Sequence, residues 1–224
     1  MKVYFTSDTH YWHKSIIEYA DRPFRNSFDG MICNAKTMFD NYNAIVKDED
    51  VVFHLGDLAF INKSNKCFTQ ELCKQLHGTK ILIKGNHDRC SDEFYYNCGF
   101  SLVLPYLVIG RYFITHYPLE TTFCGEEKRQ LKIFQQNKCD TIICGHVHNR
   151  DISKLPDGIK RINTCVDFPP NDFKPVKSNS HTIKNWCKSY LKSIETNQTK
   201  KFLKSYVYIE NQNDLKYSNH LKAS

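Results

Sequence analysis

The chain has 224 residues, of which 41% are apolar, and its 31 Lys and Arg residues against 24 Asp and Glu residues give a formal net charge of +7. That length and apolar content suffice for one hydrophobic core, so no second domain is needed. No apolar run approaches the roughly 20 residues of a membrane-spanning helix, and residues 1–10 lack a signal-peptide layout, so we expect a cytoplasmic protein without a membrane partner.

Ten cysteines are scattered along the chain, and no two of them form a Cys-x-x-Cys pair. A chain of this size does not need disulfides for stability, so we expect mostly reduced cysteines. A zinc ribbon or a secreted disulfide framework is the less favoured alternative. Cysteine chemistry is therefore not expected to carry the function.

Five short apolar segments are predicted to be strands, and each is followed closely by polar residues. They span residues 3–5, 51–54, 81–83, 112–114 and 141–144, and they precede SDTH, GD, GNHD, THYP and GHVH, respectively. Polar groups at strand ends lie at the rim of a sheet, where open α/β folds bind ligands. The regular placement predicts a functional site at that rim.

Helices are predicted for residues 31–46, 64–76 and 126–138, between these strands. Alternation of strand and helix in the first half predicts a partly parallel sheet. Shorter connections in the second half, including a turn at 109–111, predict a more antiparallel arrangement. We therefore expect an α/β (α+β) fold with a core of two mixed β-sheets.

Near its C-terminal end the chain is expected to add an element that packs on the core. Residues 181–194 have an amphipathic helical pattern, and residues 202–209 are predicted to add a strand. From residue 171 to residue 224 there are ten lysines against four acidic residues. Such a surface can attract phosphate-bearing partners, although a solvated helix surface is the favoured explanation.

The polar groups at the strand ends are suited to binding two metal ions. In an extended chain, Asp8-x-His10 and His146-x-His148 would each send both side chains to one face. Oxygen and nitrogen donors without thiolates favour divalent Mn, Fe, Ni, Co or Zn ions. A carboxylate bridging two such ions makes a centre that binds phosphoryl oxygens, which indicates phosphoester hydrolysis. The candidate ligands are Asp8, His10, Asp57, Asn86, His116, His146 and His148.

In order and spacing, these motifs resemble the five motifs of the calcineurin-like metallophosphoesterases. They are DTH at 8–10, GD at 56–57, GNHD at 85–88, His116, and GHVH at 145–148. The resemblance runs from residue 3 to about residue 176, and TSDTHYWHKSIIEYADRPF is similar to small phage and bacterial phosphoesterases. It implies two mixed β-sheets packed as a sandwich and flanked by α-helices. A catalytic domain would then cover residues 1–177, with an appended extension over 178–224.

The resemblance also implies a role for each residue. One metal ion would be held by Asp8, His10, Asp57 and His148, and the other by Asp57, Asn86, His116 and His146, with Asp57 as the bridge. The cofactors would be two divalent ions, manganese foremost, with a bridging hydroxide that attacks phosphorus. His87 would assist departure of the leaving group, and Asp88 would orient its imidazole.

Three further residues are candidate contacts for the expected substrate, a small phosphorylated molecule or a nucleotide. Trp12 and His13 follow the first motif, where the similar phosphoesterases often have a glycine and a histidine. Trp12 would line the pocket and His13 would touch phosphate, with an ordinary packing role for His13 about equally supported. Arg22 carries a guanidinium that suits bidentate contact with phosphate oxygens, and a surface ion pair is its alternative.

Two other functions stay open from the sequence alone. A nuclease would share these motifs, but the chain lacks the large additional domains of such nucleases, so nucleic acid is not the favoured partner. A non-catalytic binding module on the same fold, as in the retromer subunit that has lost ligand residues, is disfavoured because every ligand position here holds a competent side chain. The sequence does not choose between a phosphomonoester and a phosphodiester, and it does not indicate an oligomeric state.

Overall fold

Two β-sheets lie at the centre of the protein in the computed structural model, which describes residues 1–119, 125–150 and 158–204. The strands of the first sheet are β1 Val3–Thr6, β2 Val51–His54, β3 Thr79–Ile83, β4 Phe100–Leu104 and β9 Val176–Lys177. Their order is β4-β3-β2-β1-β9, with β1 to β4 mutually parallel and β9 antiparallel to β1. All five strands predicted from the sequence are present, and the mixed two-sheet core is confirmed.

The second sheet is antiparallel in the pair of strands joined by the turn predicted at 109–111, and it is parallel elsewhere. Its strands are β5 Tyr106–Ile109, β6 Tyr112–Thr115, β7 Thr141–Cys144 and β8 Lys160–Asn163. Only the β5–β6 hairpin is antiparallel, and β6, β7 and β8 run parallel. Helix α5, Glu126–Gln136, lies between β6 and β7 and returns the chain to the end of the sheet at which β6 began, so β7 runs parallel to β6.

The other helices flank the sheets and are α1 Ile16–Tyr19, α2 Phe28–Ile45, α3 Lys66–Lys74, α4 Asp92–Asn97, α6 His181–Glu195 and α7 Thr199–Leu203. The sequence predicted the longer helices α2, α3 and α6. Helix α2 begins three residues before the predicted start because the Ser27 side chain accepts a hydrogen bond from the Gly30 N–H and caps it. The strand predicted for 202–209 is wrong at its start, where Phe202 lies within α7 and packs on Trp186. Residues 205–209 lie outside the described residues.

The core lies between the two sheets and is closed by α6. Phe53 and Ile81 of the first sheet meet Ile114 and Ile143 of the second, and Trp186 of α6 belongs to the same cluster. The outer face of the first sheet packs against α2, and the outer face of the second packs against α5. This is the expected sandwich flanked by helices, in which strands covered on both faces are almost wholly apolar. The division of the chain at residue 177 stays a prediction.

The carboxyl ends of β1, β2, β3, β6 and β7 point to one edge of the sandwich. A parallel bridge between Ser7 and Cys165 joins the two sheets there. The loops that follow these strands therefore meet at a single place. None of the helices within the described ranges combines the length and the apolarity that a membrane crossing requires.

Candidate metal centre

Six of the seven predicted ligands form two clusters at this edge. In each cluster, one donor atom from each of three residues lies within 4.8 Å of the others. The first cluster contains Asp8, His10 and His148, and the second contains Asp57, His116 and His146. Each cluster draws on both sheets, because His116, His146 and His148 follow strands of the second sheet.

Asp57 belongs to the second cluster and also reaches the first, and Asn86 completes the set. The Asp57 Oδ2 atom is 3.5 Å from His10 Nε2 and 3.6 Å from His116 Nε2. The Asn86 Oδ1 atom is 3.1 Å from the same His116 nitrogen. The structure thus brings all seven predicted residues together, with Asp57 in the position that a bridging carboxylate would occupy.

Unpaired buried atoms in the first cluster fit a cation. Asp8 Oδ1 and His10 Nε2 are both buried, and neither has a hydrogen-bond partner among the described residues. They lie 3.9 Å apart, with His148 Nε2 at 3.8 Å from the same oxygen. A buried carboxylate oxygen left without a donor is costly, and a divalent cation bound by oxygen and nitrogen would remove that cost.

In the second cluster, too, lone pairs face one another without a hydrogen-bond donor between them among the described residues. His116 Nδ1 is 2.8 Å from the Leu55 carbonyl oxygen, which assigns the ring proton to Nδ1. The lone pair on Nε2 then faces the Asn86 oxygen and His146 Nδ1, at 3.1 and 3.0 Å. Lone pairs that converge in this way are arranged for a cation and not for each other.

Burial keeps two of the ligand imidazoles, those of His10 and His146, in the form that binds metal. It lowers the pKa of His10 to about 2 and that of His146 to about 4, so both rings are neutral near pH 7. Burial also raises the pKa of Asp57 to about 6, and the Asp8 carboxylate acts in the same direction. Bound cations would oppose that increase, because they stabilise the charged carboxylate.

The ligands converge through a left-handed backbone and not through an extended chain. The φ angles are 56° at Asp8, 45° at His10, 54° at Asp57, 72° at His146 and 54° at His148. The predicted convergence of the paired ligands is therefore right, but its stated cause is wrong. Left-handed backbone is uncommon for residues other than glycine and is found at strained functional sites. Five such residues in one site indicate that the fold holds its ligand loops under constraint.

Two glycines make room for the ligands. A Cβ atom on Gly85 would overlap Asp57 Oδ1, and one on Gly145 would overlap Asp8 Oδ2. Both glycines belong to the motifs that the sequence singled out. Their role here is to allow a close approach of the backbone to a carboxylate.

The position of Asp88 corrects its predicted role. Its carboxylate accepts hydrogen bonds from the backbone N–H groups of Gly85, Asp57 and Leu58, at 2.8, 2.7 and 3.1 Å. These contacts use both carboxylate oxygens, so Asp88 ties the loop after β3 to the loop after β2 and does not orient the His87 imidazole. The His87 ring lies at the rim, 5.4 Å from the His10 ring, and its backbone N–H donates to Asp57 Oδ1.

Arg22 is directed into the protein and not towards a substrate. Its side chain is fully buried and forms an ion pair with Asp167 at 2.8 Å. It also donates to the backbone carbonyl oxygens of Asp8 and Thr9, at 2.6 and 3.1 Å. Its donors are thus used to hold the first ligand loop, and we assign it no contact with phosphate.

Asp167 is a functional residue that the sequence did not reveal. It accepts a hydrogen bond from His148 Nδ1 at 2.9 Å, which leaves Nε2 of that ring free to face Asp8. Metal-binding histidines usually pair their second nitrogen with a carboxylate, so a partner of this type was to be expected. Nothing in the sequence indicates which of many acidic residues it is, because 19 positions separate the pair. Cys165 was missed in the same way, and its thiol donates to Asp8 Oδ2.

The side chains of Trp12 and His13 point to different surroundings. The Trp12 indole N–H donates to Thr69 Oγ1 of α3 at 2.9 Å, and its ring lines an apolar groove between α2 and α3. His13 is half-buried, with its ring 5.6 Å from that of His10. Of these two candidates, only His13 is next to the metal ligands.

Comparisons with known proteins agree with this geometry. A family model described as the calcineurin-like phosphoesterase superfamily domain matches residues 1–164. An uncharacterized protein of Methanocaldococcus jannaschii is 40% identical over 93 residues, which is 42% of this chain and 50% of that protein. The chain thus spans about half the length of this curated relative.

Two solved structures are also similar. One is the crystal structure of a protein of unknown function from Aquifex aeolicus, which is 26% identical with a TM-score of 0.59. That alignment covers 79% of this chain and 95% of the other. The second is a novel archaeal phosphodiesterase, 20% identical with a TM-score of 0.38 over 73% of this chain and 82% of the other. This second likeness is too weak to bear on the fold.

Proposed function

The chain belongs to the calcineurin-like phosphoesterase superfamily, and on that basis we propose that it is an enzyme that hydrolyses phosphoesters with two divalent metal ions. The substrate is a phosphomonoester or phosphodiester of a small molecule or nucleotide. The observation that carries the proposal is the pair of clusters of candidate metal ligands, with Asp57 of the second cluster also close to His10 of the first. A binding module would not need that arrangement.

The residues present fit two metal ions. Asp8, His10 and His148 would hold one ion, His116, His146 and Asn86 the other, and Asp57 both. Divalent ions in such sites act as Lewis acids towards phosphoryl oxygens and lower the pKa of water to near neutrality. Manganese is the ion we propose first, with Fe, Ni, Co and Zn as alternatives for the same donor types.

His87 is the proposed proton donor to the leaving group. Its imidazole is partly exposed at the rim and stands edge-on to the His10 ring, so it borders the space above the donor clusters. The hydrogen bond from its backbone N–H to Asp57 Oδ1 fixes this turn relative to the ligands. A positioned imidazole that protonates a departing alkoxide contributes typically 10²- to 10⁴-fold to the rate.

The test is hydrolysis by the full chain after its metals have been removed and replaced. The protein is treated with a chelator, loaded with Mn, Fe, Ni, Co or Zn, and assayed on a chromogenic monoester, a chromogenic diester, a cyclic dinucleotide and single-stranded DNA. We expect metal-dependent hydrolysis of at least one small ester, with two metal equivalents bound and none of this activity in Asp57→Asn. Inactivity with every metal would contradict the proposal, and a preference for single-stranded DNA would favour the nuclease alternative.

A further inference from the structure

Three aromatic rings form a continuous surface beside the metal ligands, which we call the aromatic platform: Tyr19, His13 and Phe60. The His13 ring stacks on Phe60, with centroids 5.1 Å apart and planes inclined by 17°. Tyr19 meets the same imidazole edge-on at 6.2 Å. Phe60 is 50% exposed and Tyr19 is 70% exposed, so the two outer rings face solvent. The platform therefore presents aromatic surface to solvent instead of burying it in the core.

The platform adjoins the metal centre directly. His13 is its inner member, and its ring lies 5.6 Å from that of His10. Only two ring-to-ring steps separate a predicted metal ligand from the exposed face of Phe60. His13 Nδ1 is also buried without a hydrogen-bond partner in the described part of the chain. A polar group of a bound molecule would satisfy it.

Phe60 is held in place by the backbone. Its N–H donates to the Tyr11 carbonyl oxygen at 2.8 Å, next to the bridge that pairs Tyr11 with Ala59. Its own carbonyl oxygen accepts from the Asn65 side chain at 2.8 Å. The ring is therefore exposed at a fixed position relative to the first ligand loop. A fixed aromatic face loses little entropy when a planar group stacks on it.

We propose that the platform binds the base of a nucleotide substrate, with the base stacked on Phe60 and Tyr19 beside it. This inference rests on the proposed phosphoesterase function, because it places the phosphate of the same molecule at the metal centre. In a nucleotide a single sugar separates the base from the phosphorus, which suits a platform one histidine away from the ligands. Stacking on an aromatic side chain is sequence-tolerant, since every base has a π-face. The substrate class is therefore nucleotides with little preference among bases.

The experiment compares substrates that differ only in the base. Adenosine 5′-monophosphate is paired with ribose 5-phosphate, and adenosine 2′,3′-cyclic phosphate with the cyclic phosphate of methyl riboside. For the full chain loaded with Mn, kcat/KM is expected to be about tenfold or more higher for the member with the base. Phe60→Ala should remove most of that ratio through KM, whereas Phe60→Trp should keep it. Phe28→Ala is the matched control, because Phe28 is 68% exposed at the start of α2 and lies outside the platform.

Direct binding separates this inference from the proposed function. Calorimetric titration of the Mn-loaded protein with adenosine 5′-monophosphate needs no turnover. Binding that Phe60→Ala weakens by about tenfold would support the platform even if no ester were hydrolysed. If ribose 5-phosphate were hydrolysed as efficiently as the nucleotide, or if Phe60→Ala and Phe28→Ala bound nucleotide equally well, the platform would be refuted while the hydrolase function stood. Thermal melting of each variant confirms that it is folded.

Discussion

Replacing Asp167 by Asn removes one charge from the buried network behind His148. The carboxylate receives three N–H donors, two from Arg22 at 2.9 and 2.8 Å and one from His148 at 2.9 Å. An amide offers one acceptor oxygen and would turn its own N–H₂ group towards one of these donors. The side chains of Arg22 and Asp167 are at most 2% exposed, so loss of the Asp167 charge would leave the Arg22 guanidinium buried without its ion-pair partner.

Two separate losses follow from this substitution. Breaking a buried ion pair by removing one partner costs about 3–5 kcal/mol, a large part of the roughly 5–15 kcal/mol that stabilises a typical domain. Losing the carboxylate behind a metal-binding histidine lowers metal affinity by about 10- to 100-fold. The double variant Arg22→Met with Asp167→Asn should recover part of the stability, since it removes both charges, but none of the metal affinity.

The assay measures both quantities on the same protein. Urea denaturation in the presence of a chelator gives the free energy of unfolding, and titration of the metal-free protein with Mn gives the affinity. Asp172→Asn is the control, because it makes the same chemical change on a 71% exposed side chain paired with Lys174 and should stay within about 0.5 kcal/mol. A loss for Asp167→Asn of less than about 1 kcal/mol, with Mn affinity unchanged, would refute the role given to this network.

Three other substitutions test the centre itself. Asp57→Asn should abolish hydrolysis and reduce bound Mn to less than two equivalents by elemental analysis, because one carboxylate serves both clusters; full occupancy would remove Asp57 as the bridge. His87→Ala should lower kcat by about 10²- to 10⁴-fold with metals still bound, most strongly on esters with poor leaving groups, and unchanged turnover of such an ester would exclude it as the proton donor. Gly145→Ala should weaken Mn binding in the same titration, because its Cβ would overlap Asp8 Oδ2; wild-type affinity would show that the Asp8 loop is not confined there.

The strand–motif pattern carried most of what the sequence could reveal about the fold. Apolar runs such as 81–83 are buried on both faces, so composition alone marks them. The direction of β7 follows from the helix predicted at 126–138, because a helix between two strands supplies the crossover that a parallel pair needs. Helix α4 was missed because six residues are too few for a helical period to stand out.

The metal ligands could be predicted because they sit in short motifs, whereas their supports could not. Asp88 lies in such a motif, but its contacts to backbone N–H groups of another loop leave no trace in the sequence. Arg22 has the chemistry of a phosphate ligand, and only its burial against Asp167 shows that it has another partner. Side chains that act through a neighbour are recognised from three-dimensional contacts, since their spacing along the chain is arbitrary.

Helix α6 begins 17 residues after the family domain ends, yet its side chains complete the hydrophobic interior of that domain. The ring centroids of Trp186 and of Phe53 in the central strand β2 are 6.0 Å apart, and the Tyr190 hydroxyl donates to the Ser101 hydroxyl of β4. A protein truncated after residue 164, where the family model ends, would expose one face of these strands to water. The segment that the family model matches is thus smaller than the one that must fold as a whole.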